Sequence, residues 1–96
     1  MSVVEVTTFR LRAGVPDDAF LALDKRLQTE LVPNQPGFLR RTTARRGGAW
    51  VVVTLWGSEA DAATFESATA GHELWRAFGD HIEPDSLRST RYDTLD

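Results

Sequence analysis

Trp50-Val51-Val52-Val53-Thr54-Leu55-Trp56 is apolar on both of its alternating faces. A strand points successive side chains to opposite sides of a sheet. One side of this stretch carries Trp50, Val52, Thr54 and Trp56, and the other Val51, Val53 and Leu55. Such a run predicts a strand covered on both faces. The chain has 96 residues and little material to cover both. The stretch therefore points to a partner chain, although the pattern does not say which face the partner would take.

The neighbouring segments place this strand. Before it, Phe38 to Arg46 is strand-like but polar, and Gly47-Gly48 is a hairpin signal, so the two strands should pair antiparallel. After it, Gly57 breaks the strand, and Ser58-Glu59-Ala60-Asp61 has the form of a capping box. Ala62, Phe65, Ala68 and Thr69 continue at helical spacing; Gly71 interrupts, and residues 72–78 resume with Leu74, Trp75 and Phe78 apolar. Towards the N-terminus, residues 3–12 alternate as a strand, with Val3, Glu5, Thr7, Phe9 and Leu11 on one face. Gly14 ends it, Pro16 suits a first helical turn, and Asp17 and Asp18 sit where the helix dipole favours negative charge. Phe20, Leu23, Leu27 and Leu31 form an apolar stripe that closes before Pro33. Residues 86–95 supply a last strand.

The order is strand, helix, strand, strand, helix, strand. This predicts an α+β, ferredoxin-like split βαβ fold (β-α-β-β-α-β), with a four-stranded antiparallel sheet and both helices on one face. Residues 1–96 make one domain. The other face would expose Val4, Val6 and one side of the central strand. Burying each such side chain is worth roughly 1.5–3 kcal/mol, so a homodimer packed sheet to sheet with two-fold symmetry is expected.

Composition narrows the function. A formal charge of −3 argues against a non-specific nucleic-acid binder. There is no cysteine, hence no disulfide, thiol nucleophile or thiolate metal site. The alternating N-terminus is not a signal peptide, and no segment is long enough to span a bilayer, so a cytoplasmic location is the default. The two histidines and scattered carboxylates lack metal-ligand spacing, so no metal is expected. Gly47-Gly48 is not a phosphate loop, and no Ser-His-Asp or other nucleophile motif is present.

Three pieces carry a resemblance. They are Pro36-Gly37-Phe38-Leu39, the passage from Val51 through Trp56-Gly57-Ser58-Glu59-Ala60-Asp61-Ala62, and Gly71-His72-Glu73-Leu74-Trp75-Arg76-Ala77-Phe78. With them the chain resembles, over nearly its whole length, the antibiotic biosynthesis monooxygenase family of dimeric α+β barrel proteins. The resemblance implies two subunits packed sheet to sheet into a barrel, each with a pocket between its sheet and helices. It also implies cofactor-free oxidation of phenolic, quinol or polyketide-type compounds, or haem degradation. For haem degradation, the first-strand Asn of the family falls at Thr7, the helix Trp at Phe65, and the ligand His about two positions beyond His72, so that branch does not fit. For the polyketide-quinone branch, the strand-end Trp matches Trp56 and the helix Arg matches Arg76, while the Asn falls at Val52 and the Tyr at Ala62.

Cofactor-free oxygenation needs a base, a dry pocket and donors that stabilise an anion. His72, at a helix start, is the candidate catalytic base; as an alternative it is a solvated helix-start residue. His81 is read as exposed. Arg76, one turn on, is a candidate substrate-binding group or a surface partner of Glu73 or Asp80. Trp56 would stack on an aromatic ligand or pack in the core, and Trp75 would line the same pocket or close the core. Thr7 and Tyr92 would offer hydroxyls, or, for Tyr92, pack at an interface. Arg40, Arg41, Arg45 and Arg46 are read as a solvated strand with ion pairs to the partner chain. The expected function is a cofactor-independent monooxygenase-like protein for a hydrophobic aromatic small molecule. The alternatives are a non-catalytic ligand-binding module and a structural dimer whose pocket is filled by Trp and Phe.

Overall fold

A computed structural model describes residues 1–95. Strand β1 (Val3–Phe9) is followed by helix α1 (Asp17–Arg26), whose path continues as a π-turn (Leu27–Leu31) and a 3-10 turn (Val32–Asn34). Strands β2 (Phe38–Arg46) and β3 (Ala49–Trp56) form the hairpin; α2 (Glu59–Thr69), α3 (Glu73–Asp80) and β4 (Arg88–Asp93) complete the chain. The sheet is antiparallel throughout, in the order β2-β3-β1-β4. This is the ferredoxin-like α+β fold, with the second helix split at Thr69–Glu73 around Gly71.

The register settles the orientation of the central strand. Val3, Glu5, Thr7 and Phe9 of β1 lie opposite Trp56, Thr54, Val52 and Trp50 of β3. Those four β3 residues are buried under the helices, and Val51, Val53 and Leu55 face away. The outward face also carries Val4, Val6 and Tyr92, and Val53 and Tyr92 are 36% and 58% exposed. One face of the sheet is thus covered by the chain's own helices and the other is open.

The core is a run of aromatic rings. Phe20 meets Trp50 and Phe9 edge-on at 4.9 and 5.5 Å, and Phe9 meets Phe78 at 5.6 Å. Trp75 stacks on Phe78 at 5.1 Å and meets Phe65 at 4.9 Å, and Phe65 lies 5.0 Å from Trp56. From the α1 stripe, Phe20, Leu27 and Leu31 are buried and Leu23 packs against their cluster.

Local signals hold with adjustments. Ser58 caps α2, its Oγ accepting from the Asp61 N–H at 3.1 Å. The Asp61 carboxylate lies over Gly37 instead of returning to Ser58: a Cβ on Gly37 would stand 2.1 Å from Asp61 Cγ. Gly37 also has φ +79°, so glycine is required there twice over. Its carbonyl accepts from Gly57 N–H at 2.7 Å, tying the entry of β2 to the exit of β3. A register shift between Phe38 and Arg40 leaves Leu39 bulged. The helical path does not stop before Pro33: the 3-10 turn includes it, at a position where the missing N–H is harmless.

The arginine-rich strand departs from the sequence reading. Arg41 is not solvated. It points under the helices, 3% exposed at its side chain, and donates to Asp24 of α1 at 2.8 Å and to Gln28 at 3.2 Å. Arg45 pairs with Asp17 and lies over the Trp50 ring. Both partners belong to the same chain. The alternation of β2 turns Arg41 inward because Thr54 opposite it does so, and α1 places Asp24 on its buried stripe.

Candidate functional site

Between the sheet and the split second helix lies a cleft of about 280 Å³, lined by Thr7, Phe65, Trp75, Phe78, Ile82 and Leu87, with Glu5, Glu66 and Ser89 at its polar side. It adjoins an inner chamber of about 30 Å³, which shares Glu5, Thr7, Phe65, Trp75 and Phe78 and reaches Trp56, Thr54 and Arg41. The sequence builds this space from the inward row of β1, the inward row of β3 and the apolar sides of α2 and α3. A chamber of that size holds about one water-sized group.

The inner end carries an unsatisfied donor. Trp56 is 1% exposed, and its Nε1–H has no partner among the described residues. Leaving a buried donor unmade costs about 1–3 kcal/mol. Arg41, held by Asp24 and Gln28, stands on the same wall as part of an ion pair. Thr7 Oγ1 and Ser89 Oγ, 3.1 Å apart, join β1 to β4 along the floor of the cleft.

Glu5 is the carboxylate shared by the cleft and its inner chamber. One oxygen accepts from Arg91 Nε at 2.9 Å, and the other has no hydrogen bond among the described residues. Arg91 also holds Glu59 at 2.8 Å and Glu66 at 2.5 Å. Its pKa is raised, first by the hydrogen bond to Glu5 and against the opposing effect of partial burial. This single guanidinium clamps β1 and β4 to α2 and sets one rim of the cleft.

The candidate residues divide. Thr7 and Trp75 line the cleft and Trp56 its inner chamber. His72, Arg76 and Tyr92 do not. His72 is exposed and caps α3, its Nδ1 accepting from the Leu74 N–H at 3.1 Å. Arg76 follows one turn later, also exposed, with no side-chain ion pair to Glu73 or Asp80. Tyr92 stands on the open face of the sheet, across from Val4. His81 is half-buried, its Nδ1 2.7 Å from the Ala77 carbonyl oxygen. Sequence reasoning missed Glu5, Arg91, Arg41 and Ser89. Their period-two placement with Thr7 and Thr54 was the available signal, but it gives a face and not a cavity. No group of three or more potential metal-ligating side chains occurs among the described residues. No helix there is long and apolar enough to cross a membrane.

No family model matches the sequence, and no curated protein matches it. Solved structures do match in shape. SnoaB, a cofactor-independent oxygenase from Streptomyces nogalater, superposes with a TM-score of 0.80 at 17% identity, over 99% of this chain and 94% of that one. A protein from Bordetella bronchiseptica, provisionally named an antibiotic biosynthesis monooxygenase, gives 0.82 at 12% identity, over 98% of this chain and 97% of its own. A conserved protein from Methanosarcina mazei Go1 gives 0.78 at 12% identity, over 96% and 91%. The chain therefore has the fold of the antibiotic biosynthesis monooxygenase proteins.

Proposed function

We propose that the chain is a homodimeric, cofactor-independent monooxygenase-like protein that takes a hydrophobic aromatic small molecule of the phenol or quinol type in the cleft between sheet and helices. The observation that carries this reading is the unpartnered, buried Nε1–H of Trp56 at the end of an aromatic-walled cleft. A ring would lie against Phe65, Trp75 and Phe78, and one ring oxygen would enter the inner chamber and accept from Trp56. Charge developing on that oxygen is stabilised by the fixed indole N–H dipole. The free oxygen of Glu5 stands on the same wall as proton acceptor, with Thr7 beside it. Loss of the substrate proton gives an anion that passes an electron to dissolved O₂. For an anthrone, the keto form of a phenol with a ring CH₂, recombination gives a peroxide that regains the proton, and loss of water leaves a carbonyl, so one O₂ converts CH₂ to C=O plus water.

The open face supports the dimer. Val4, Val6, Val53, Leu55 and Tyr92 form a contiguous apolar surface that a two-fold related copy would cover. His72 and Arg76, the sequence's candidates for base and anchor, are assigned here to capping and to the surface, and the chemistry to groups within the cleft.

The experiment is oxygen uptake with a panel of anthrones and naphthoquinols, together with tryptophan fluorescence titration under anaerobic conditions. Trp56→Phe should weaken binding about tenfold, the loss of about one hydrogen bond to a charged oxygen. Glu5→Gln should lower turnover more than binding, and His72→Ala should change neither. Binding without uptake in every case would favour a ligand-binding module, and equal binding by wild type and Trp56→Phe would remove the site.

A further inference from the structure

We propose that the end of the sheet where β1 stops is a second site, binding a small multivalent oxyanion that bears phosphate or carboxylate groups. The site is separate from the aromatic cleft. The antiparallel order brings the C-terminal ends of β1 and β2 and the N-terminal ends of β3 and β4 to one edge. That edge gathers Arg10, Arg45, Arg46 and Arg88 around a groove of about 700 Å³. The four come from three distant parts of the chain, so no sequence patch announces them.

The groove has a floor and a rim. On the open face, Ala44, Val51, Thr8 and Arg88 lie side by side across the strands. The first three are short, so they leave a hollow with a hydroxyl in it. The arginines around it are long and end in planar forks suited to bidentate pairing with an oxyanion. Arg88 is oriented: its Nη1 donates to the carbonyls of Leu87 at 2.8 Å and Asp85 at 3.1 Å. Arg10 crosses to the hairpin, where its Nη1 lies 2.8 Å from the position a Cβ on Gly48 would take.

Charge points the same way. No carboxylate lines the groove. Arg10 and Arg46 make no ion pair among the described residues, and Asp17 holds only Arg45. These four residues belong to a chain with 11 basic and 14 acidic residues, so the cluster is positive within a chain of net negative charge. A small oxyanion gains from the cluster, whereas a long polyanion is repelled beyond it. The apolar rows of the open face begin one step along β1, at Val6, so the groove borders the surface proposed for the second copy.

Calorimetric titration of the intact chain with pyrophosphate, orthophosphate and citrate tests the proposal. Saturable binding is expected, tighter for pyrophosphate or citrate than for orthophosphate, and weakened by sodium chloride. The better of those two ligands tells phosphate from carboxylate chemistry. Arg10→Gln, Arg46→Gln and Arg88→Gln should each loosen it about tenfold, and Thr7→Ala should leave it unchanged. These arginines are exposed, so the variants should fold, and their melting curves check this. Backbone amide shifts on adding pyrophosphate should centre on Thr8, Ala44 and Val51. Absence of saturable binding by all three probes, indifference to the arginine variants, or shifts centred elsewhere would overturn the site. Tighter binding of duplex DNA than of pyrophosphate would overturn the small-ligand assignment.

Discussion

Replacing Asp24 by Asn should destabilise the chain more than any surface substitution of similar size. Asp24 and Arg41 form an ion pair whose side chains are 12% and 3% exposed, joined at 2.8 Å. Removing the carboxylate charge leaves the guanidinium buried without its counterion. Breaking such a pair by deleting one partner costs about 3–5 kcal/mol. Here Gln28 Oε1, 3.2 Å from Arg41 Nη1, keeps one bond, and Asp24 retains some contact with water. The lower end, about 3 kcal/mol, is therefore expected. For a domain with a total stability of about 5–15 kcal/mol, that is a large fraction, and it lowers the melting temperature by roughly 12–24 °C. The assay is urea unfolding at fixed protein concentration, with Asp24→Leu, Arg41→Met and the double variant completing a cycle. The double variant should recover most of the loss, because a buried pair replaced by apolar groups is near neutral. Losses below about 1 kcal/mol in both single variants, the range of exposed pairs, would refute the argument that Arg41 is desolvated.

Gly37→Ala should cost more than Gly47→Ala. Both have positive φ, +79° and +58°, so each incurs about 1–2 kcal/mol of left-handed strain. Only at Gly37 does the new Cβ also collide with Asp61, and thermal melts of the two variants should separate accordingly. Val53→Asp, on the open face, should give a single-chain mass in sedimentation while far-UV circular dichroism stays unchanged; a retained dimer mass would show that a different surface associates. His72→Ala removes the α3 cap and should destabilise by about 1 kcal/mol, with ligand affinity intact; lost affinity at preserved stability would return His72 to the site.

What the sequence by itself determined is the order of elements, the hairpin at Gly47-Gly48, the cap at Ser58, and an apolar central strand too well covered for one small chain. Those features are local: turn chemistry, capping and side-chain period act over a few residues. Trp56 was legible as the last residue of its strand for the same reason, since a strand end before a glycine and a cap is a local signature. Tertiary structure decided the rest. Only pairing with β1 showed that Trp50 and Trp56 face the helices and Val51 and Val53 the open side, because period two names two faces without ranking them. His72 was a candidate base by residue type, and only the fold shows that it caps α3, its Nδ1 accepting from a backbone amide, outside the cleft. Glu5, Arg91 and Glu66 are far apart in the chain and meet only when β4 pairs with β1 beneath α2. Arg41 and Arg46 read alike in sequence, but one is buried against Asp24 and the other rims an exposed groove with Arg10 and Arg88. Charge and aromaticity are properties of residues, whereas desolvation and convergence belong to the folded arrangement.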